Sequence, residues 1–162
     1  MALAAPAPMA ILSAVMDLQA AHAELIDDDR LEEWPDLFVE DCIYKVISRE
    51  NADRGLEVAT MFCTSRAMLA DRVVSLRQAN VFPVHHYRHI LSTPRIHSIE
   101  DEVIEAQTNY VVLQTRNDGS TQIFNAGKYL DRIRLRGDRF QFVSKIAIFD
   151  TNRIDTLMVK PI

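Results

Sequence analysis

The spacing of apolar positions along this chain changes character once, near Pro83. Before it, steps of three and four dominate. Leu12, Val15, Met16, Gln19, Ala23 and Ile26 recur at that spacing with the acids off the stripe, which predicts a helix over residues 10–27. Asp29 followed by Glu32 resembles a capping box opening a short helical turn. Leu31, Trp34, Leu37 and Phe38 share one side of that turn, and Pro35 forces a break or a fresh start. From Cys42 to Arg49 the residues become apolar and β-branched, as a strand requires. Asn51, Asp53 and Gly55 mark a loop. Ser65 then caps a second helix running to about Ala79, with Leu69, Val73 and Leu76 on one face.

After Pro83 the chain reads as strands separated by turn signals: 89–91, 95–98, 103–114, 121–135 and 139–149. Asn117-Asp118-Gly119 and Gly137-Asp138 are the sharpest of those signals. Arg132 to Arg136 alternates basic and apolar residues, so one face of that strand meets solvent or a partner. Helices first and a strand meander afterwards describe an α+β fold rather than alternating α/β. Its natural packing is a curved sheet wrapped around the apolar faces of the N-terminal helices. No repeat or linker interrupts the pattern, so residues 1–162 are expected to form one domain, with 1–10 as an Ala/Pro-rich, flexible lead-in.

Composition narrows the function classes. Of 162 residues, 48% are hydrophobic and 25% charged, which is ordinary for a folded domain. The apolar runs fall far short of the ~20 residues that a membrane helix needs. The N-terminal stretch has no basic residue ahead of it, so no signal peptide is expected. Cys42 and Cys63 predict free thiols and a cytoplasmic chain rather than a disulfide framework. Ten of the 23 acids but only one of the 18 bases, Arg30, lie in residues 1–41; 13 acids and 17 bases follow. An acidic front on a mildly basic body argues against nucleic acid as a partner, since such binding needs a concentrated basic face.

Most cofactor chemistry finds no motif here. Four glycines leave no phosphate cradle, and two distant cysteines outside any Cys-x-x-Cys or Cys-x-His context suit neither zinc nor an iron–sulfur cluster. The candidate cluster is His85-His86-Tyr87-Arg88-His89. On a strand, His85, Tyr87 and His89 share a face and His86 opposes them. The rise per residue then separates His85 from His89 by roughly 13 Å, too far for one metal ion. A second candidate is proton transfer by Asp41, Tyr44 and His89, with Tyr87 nearby, in the pocket of a helix-filled sheet.

The ordered series of local motifs resembles the small (β) subunits of Rieske-type aromatic-ring-hydroxylating oxygenases. It begins with Trp34-Pro35-Asp36-Leu37-Phe38 and Asp41-Cys42-Ile43-Tyr44, then Ser48-Arg49-Glu50-Asn51 with Gly55-Leu56. Met68 to Val73, Tyr87-Arg88-His89-Ile90 and Thr93-Pro94-Arg95-Ile96 follow. Phe124 to Asp131 and the stretch from Asp155 to Ile162 complete it. The pattern is nearest to subunits serving aromatic acids of the salicylate, anthranilate or terephthalate kind. The resemblance implies a cystatin-like (NTF2-like) cone and an assembly of three large and three small subunits. It also implies that the Rieske 2Fe–2S cluster and the mononuclear Fe(II) belong to the large (α) subunit, fed by NAD(P)H through a reductase and usually a ferredoxin. This chain would then carry no cofactor and no catalytic residue, and its role would be assembly. Arginines and aromatics are favoured interface anchors. Tyr87, Arg88, His89, Arg95, Arg132, Arg134 and Arg136 are therefore the expected subunit contacts. The rival within the same fold is a stand-alone lyase or isomerase using Asp41, Tyr44 and His89.

Overall fold

A computed structural model describes residues 9–136, 139–154 and 158–162. Helix α1 (Met9–Asp27) is followed by a 3-10 turn (Trp34–Leu37), strand β1 (Phe38–Ser48) and the short helix α2 (Arg49–Asp53). Strand β2 (Met61–Cys63) and helix α3 (Arg66–Gln78) come next. Five strands finish the chain: β3 (His85–Leu91), β4 (Arg95–Glu100), β5 (Val103–Arg116), β6 (Thr121–Arg136) and β7 (Arg139–Phe149).

The sheet runs β2-β1-β7-β6-β5-β3, and β4 shares with β3 the same side of the long β5. Among the described pairings only β1 with β7 is parallel, as in Tyr44 opposite Lys145. Register shifts at Val112/Leu113 in β5–β6 and Arg132/Ile133 in β6–β7 mark irregularities of the bulge type, which bend and twist a strand. They curl the sheet into a cone around α1, the architecture expected from the sequence.

Several local signals have an identifiable counterpart. Ser65 caps α3 by accepting from the Met68 amide, 3.2 Å away, and Leu69, Val73 and Leu76 form its buried face. Pro35 stands in the first turn of the 3-10 element, where its missing N–H costs nothing. Gly119 takes the positive φ (+84°) that the β5–β6 turn demands. The Gly137-Asp138 turn lies outside the described residues.

Three differences have physical causes. Residues 49–53 form the helix α2, because Ser48 accepts from the Asn51 amide and starts a helix where loop residues were expected. β2, three residues long, is too short to show a period and exists only by pairing with β1. Asp29 and Glu32 do not form a capping pair with each other; both receive Arg77 from α3, and Asp29 also receives Lys160 at 3.0 Å. Tertiary ion pairs thus claim part of the acidic front end.

α1 buries Val15, Leu18, Gln19, His22, Ala23, Leu25 and Ile26, whereas Met16 is left 44% exposed. The true stripe is rotated toward Leu18, His22 and Leu25. By length and composition this helix could cross a membrane. However, its inward face carries Gln19 and Asp27, bonded to the sheet, and His22, bonded to the C-terminal Ile162, as suits the core helix of the cone.

Candidate functional site in the cone interior

The polar groups inside the cone come from α1 and from inward positions of five strands. His22 is fully buried, ringed by Trp34, Phe38, Tyr129, Phe142 and His89 with centroids 5.8–6.5 Å away. The Trp34 indole can only donate, and it points at His22 Nδ1 from 3.1 Å. The proton of the neutral ring therefore sits on Nε2, which donates to the backbone oxygen of Ile162 at 3.3 Å. Tyr44 closes this network: its hydroxyl donates to the Ile162 oxygen at 2.8 Å and accepts the Ile162 amide at 3.0 Å. Burial, reinforced by Lys145 and His89, holds the His22 pKa well below its ordinary 6.5.

This neutrality makes stability fall with acid. Above about pH 6.5 His22 is uncharged in both states; below it, the unfolded chain takes up a proton that the folded one resists. Stability is expected to drop as pH falls from 6.5, by up to about 1.4 kcal/mol per pH unit for this group. His85, lowered chiefly by burial, adds a smaller share in the same direction. Chemical denaturation across that window should show the slope, and His22→Gln should flatten it. An unchanged slope in the variant would assign the acid sensitivity elsewhere.

A second group joins α1 to β3. Asp27 accepts from the His89 ring Nδ1 at 2.6 Å and from the His89 amide at 2.8 Å, and both side chains are buried. His89 Nε2 has no partner among the described residues. A carboxylate orienting an imidazole is the arrangement of a general base. Here the imidazole lies fully buried behind the rings of Tyr87 and His22, 6.4 and 6.5 Å away, so the pair works as a clamp between helix and sheet.

Deepest is a charged group. Lys145 on β7 reaches Asp131 on β6 at 3.3 Å and Gln19 at 2.7 Å, and Gln19 in turn donates to Asp131 and, at 3.1 Å, to Thr108. Neither charged side chain has any exposure. The Lys145 ammonium also stands 3.6 Å from the Tyr129 ring centre, a cation–π contact. Burial pushes the Asp131 carboxyl up and brings Lys145 down to about 8, while the attraction between the two opposes both shifts.

These placements sort the expected site residues. Tyr44 and His89 are both interior, but Asp41 is exposed on the outer face of β1, because it is three residues from Tyr44 on an alternating strand. The carboxylate beside His89 is Asp27 instead. Tyr87 and His89 point inward, 2% and 7% exposed, so the strand's alternation withdraws both from the expected subunit contacts. Arg88, Arg95, Arg132 and Arg134 face outward. The Arg136 side chain lies outside the described residues. As the alternation predicts, His85 and His89 share one face of β3 and His86 the other.

Five interior residues escaped the sequence reading as functional candidates: His22, Asp27, Asp131, Lys145 and the Gln19 that links the last two. Three of them leave a trace, namely a polar side chain at an apolar position: Gln19 and His22 sit on the helix stripe, and Lys145 lies within the mostly apolar β7, whereas Asp27 opens an acidic run and Asp131 adjoins the basic strand.

The thiols do not suit an iron–sulfur cluster. Cys42 and Cys63 are buried, and burial pushes their pKa up, to about 11 for Cys42, against the thiolate form a metal needs. Among the described residues no three His, Cys, Asp or Glu side chains gather as a metal site.

The comparisons with known proteins agree with this architecture. The family described as the ring hydroxylating beta subunit matches residues 21–156. The chain belongs to that family. This β subunit is 45% identical to the anthranilate 1,2-dioxygenase small subunit of Burkholderia cepacia, over 90% of both chains. It is 38% identical to beta subunit 2 of the terminal oxygenase component of terephthalate 1,2-dioxygenase from a Comamonas species, covering 88% of this chain and 93% of that one. The crystal structure of a β subunit assigned to an aromatic-ring-hydroxylating dioxygenase of Novosphingobium aromaticivorans superposes with a TM-score of 0.87. That protein is 51% identical, with 94% of this chain and 97% of the other covered. Membership of the ring hydroxylating beta subunit family favours the main reading from the sequence over the lyase alternative.

Proposed function

We propose that this β subunit is the assembly subunit of an oxygenase component that hydroxylates an aromatic carboxylate. The observation that carries the reading is the nearly full-length similarity to a small subunit of anthranilate 1,2-dioxygenase. Anthranilate and terephthalate, the compounds named for two relatives, are both aromatic carboxylates. A large subunit holds the Rieske cluster and the mononuclear iron, three large and three small subunits associate, and electrons arrive from NAD(P)H through a reductase, with or without a ferredoxin. The complex is cytoplasmic, and residues 1–162 act as one domain. The chain contributes a rigid outer surface to the complex and no reacting group.

The outward arginines Arg88, Arg95, Arg132 and Arg134 are the proposed contacts with the large subunit. Arginine suits such a surface because its planar fork binds carboxylates in pairs of hydrogen bonds while its stem packs on apolar groups. Co-expression with the large subunit is expected to yield a complex containing iron and acid-labile sulfide. Arg132→Glu with Arg134→Glu should reduce the recovered complex at least about tenfold, since like charges across an interface cost several kcal/mol. The isolated variant should still unfold at the parent temperature, because both side chains are on the surface. Turnover of an aromatic acid by this chain alone, or full recovery of the complex with the reversed charges, would refute the respective halves of the proposal.

A further inference from the structure

A cavity of about 350 Å³ opens where the first residue of β3 pairs with the last of β5. Its lining includes Phe82, Pro83, His85, Gln114, Arg116 and Val159. This volume is at the lower end of small-molecule sites, roughly 300–1,000 Å³, the class of a one-ring ligand. One wall is apolar: Phe82 meets the His85 ring at 5.6 Å, with Pro83 and Val159 beside it.

The rest of the named lining is polar and positioned by the fold. Arg116 Nε donates to the Gln114 side-chain oxygen at 3.1 Å, which orients the guanidinium and leaves the Gln114 amide nitrogen as a donor. Gln114 is only 4% exposed, and the terminal guanidinium nitrogens of Arg116 have no partner among the described residues. His85 is 8% exposed, and its Nδ1 donates to the Pro83 carbonyl at 2.8 Å. Burial keeps the ring neutral, aided by the nearby charge of Lys160 and Arg116. Its Nε2 is then a bare acceptor, buried and without a partner among the described residues. The cavity thus offers a cation, an amide donor and an apolar wall, with one unmet acceptor buried beside it.

We propose that this cavity binds a one-ring aromatic carboxylate carrying an amine or hydroxyl group. Its carboxylate sits on Arg116 and Gln114, its ring lies against Phe82 and Val159, and its N–H or O–H donates to His85 Nε2. A guanidinium held by an amide favours a carboxylate. A buried acceptor left unmet favours the ligand that brings a donor. The proposal goes beyond the assembly role, because it places ligand recognition on the small subunit itself.

The test is calorimetric titration of the purified full chain with 2-aminobenzoate, benzoate and aniline. Saturable one-to-one binding of 2-aminobenzoate is expected, with benzoate several-fold weaker and aniline weaker still. Arg116→Gln should weaken both carboxylates roughly tenfold, the worth of one charge-assisted hydrogen bond, at an unchanged unfolding temperature. His85→Phe should abolish the preference for 2-aminobenzoate over benzoate. If that variant fails to fold, the ranking of the three ligands on the parent chain still decides the donor requirement. No saturable binding, equal binding of aniline, or equal affinity in the Arg116 variant overturns the proposal. Since the readout needs no large subunit, such a failure leaves the assembly reading to its own co-purification test.

Discussion

Asp131→Leu is expected to remove about 3–5 kcal/mol of stability, a large share of the 5–15 kcal/mol typical of a domain. The reason is the charge left behind. Lys145 has no exposed side-chain surface, and Asp131 is the only carboxylate within reach of its ammonium among the described residues. Without it, the lysine must either keep an uncompensated charge in the core or release its proton near neutral pH, as its value of about 8 shows to be within range. Lys145→Met should be damaging for the mirror-image reason, since it strands the Asp131 carboxylate. Changing both, Asp131→Leu with Lys145→Met, should cost much less than either single change, because Gln19 and Thr108 still bond each other at 3.1 Å. Urea denaturation of the four proteins measures this cycle. The single variants should also melt roughly 10 °C lower. Additive single effects would mean that the two charges are solvated independently and that the buried network is wrong.

Gly127→Ala is expected to be as severe, by a different route. A Cβ at residue 127 would lie 2.8 Å from Phe149 Cα and 2.9 Å from the Ile148 carbonyl carbon, with the Ile148 oxygen closer still. These are backbone atoms of the neighbouring strand, so no side-chain rotation relieves the clash. β6 and β7 would have to part at the step that precedes Tyr129 and Asp131. Overpacking costs about 1–3 kcal/mol even where side chains can adjust, and this site should reach or exceed that range. Gly119→Ala is the control. Its Cβ meets nothing within 4 Å, and only the positive φ of 84° penalises it, which is worth roughly 1–2 kcal/mol. Soluble yield and melting temperature should therefore fall far more for Gly127→Ala. Equal behaviour of the two variants would contradict the close approach of β6 to β7.

Much of the fold was legible in the sequence. The three-and-four spacing before Pro83 and the strand pattern after it are local consequences of helix and strand geometry, and both survive in α1, α3 and the five C-terminal strands. The Ser65 cap and the Gly119 turn are local too, because one side chain or one dihedral settles each. Even the inward face of β3 follows from alternation, which placed His85, Tyr87 and His89 together. Family membership was legible for a related reason: many weak motifs in a fixed order preserve such local choices along the chain.

The interior was not legible. His89 meets Asp27 across 62 positions, and Lys145 meets Gln19 across 126. The sequence pointed to Asp41 as the acid beside Tyr44 and His89, whereas alternation along β1 sends Asp41 outward. Nothing in the spacing of Gln19, Asp131 and Lys145 says that they converge. Their contact depends on the curl of the sheet around α1 and on the parallel pairing of β1 with β7. By itself, then, the sequence determined where the main helices and strands form, which way β3 alternates and which family the chain belongs to, since each depends on neighbours a few residues apart. Only the tertiary structure decided which polar groups share the core and which arginines are left on its surface. Burial and charge pairing depend on distances in space that no local period encodes.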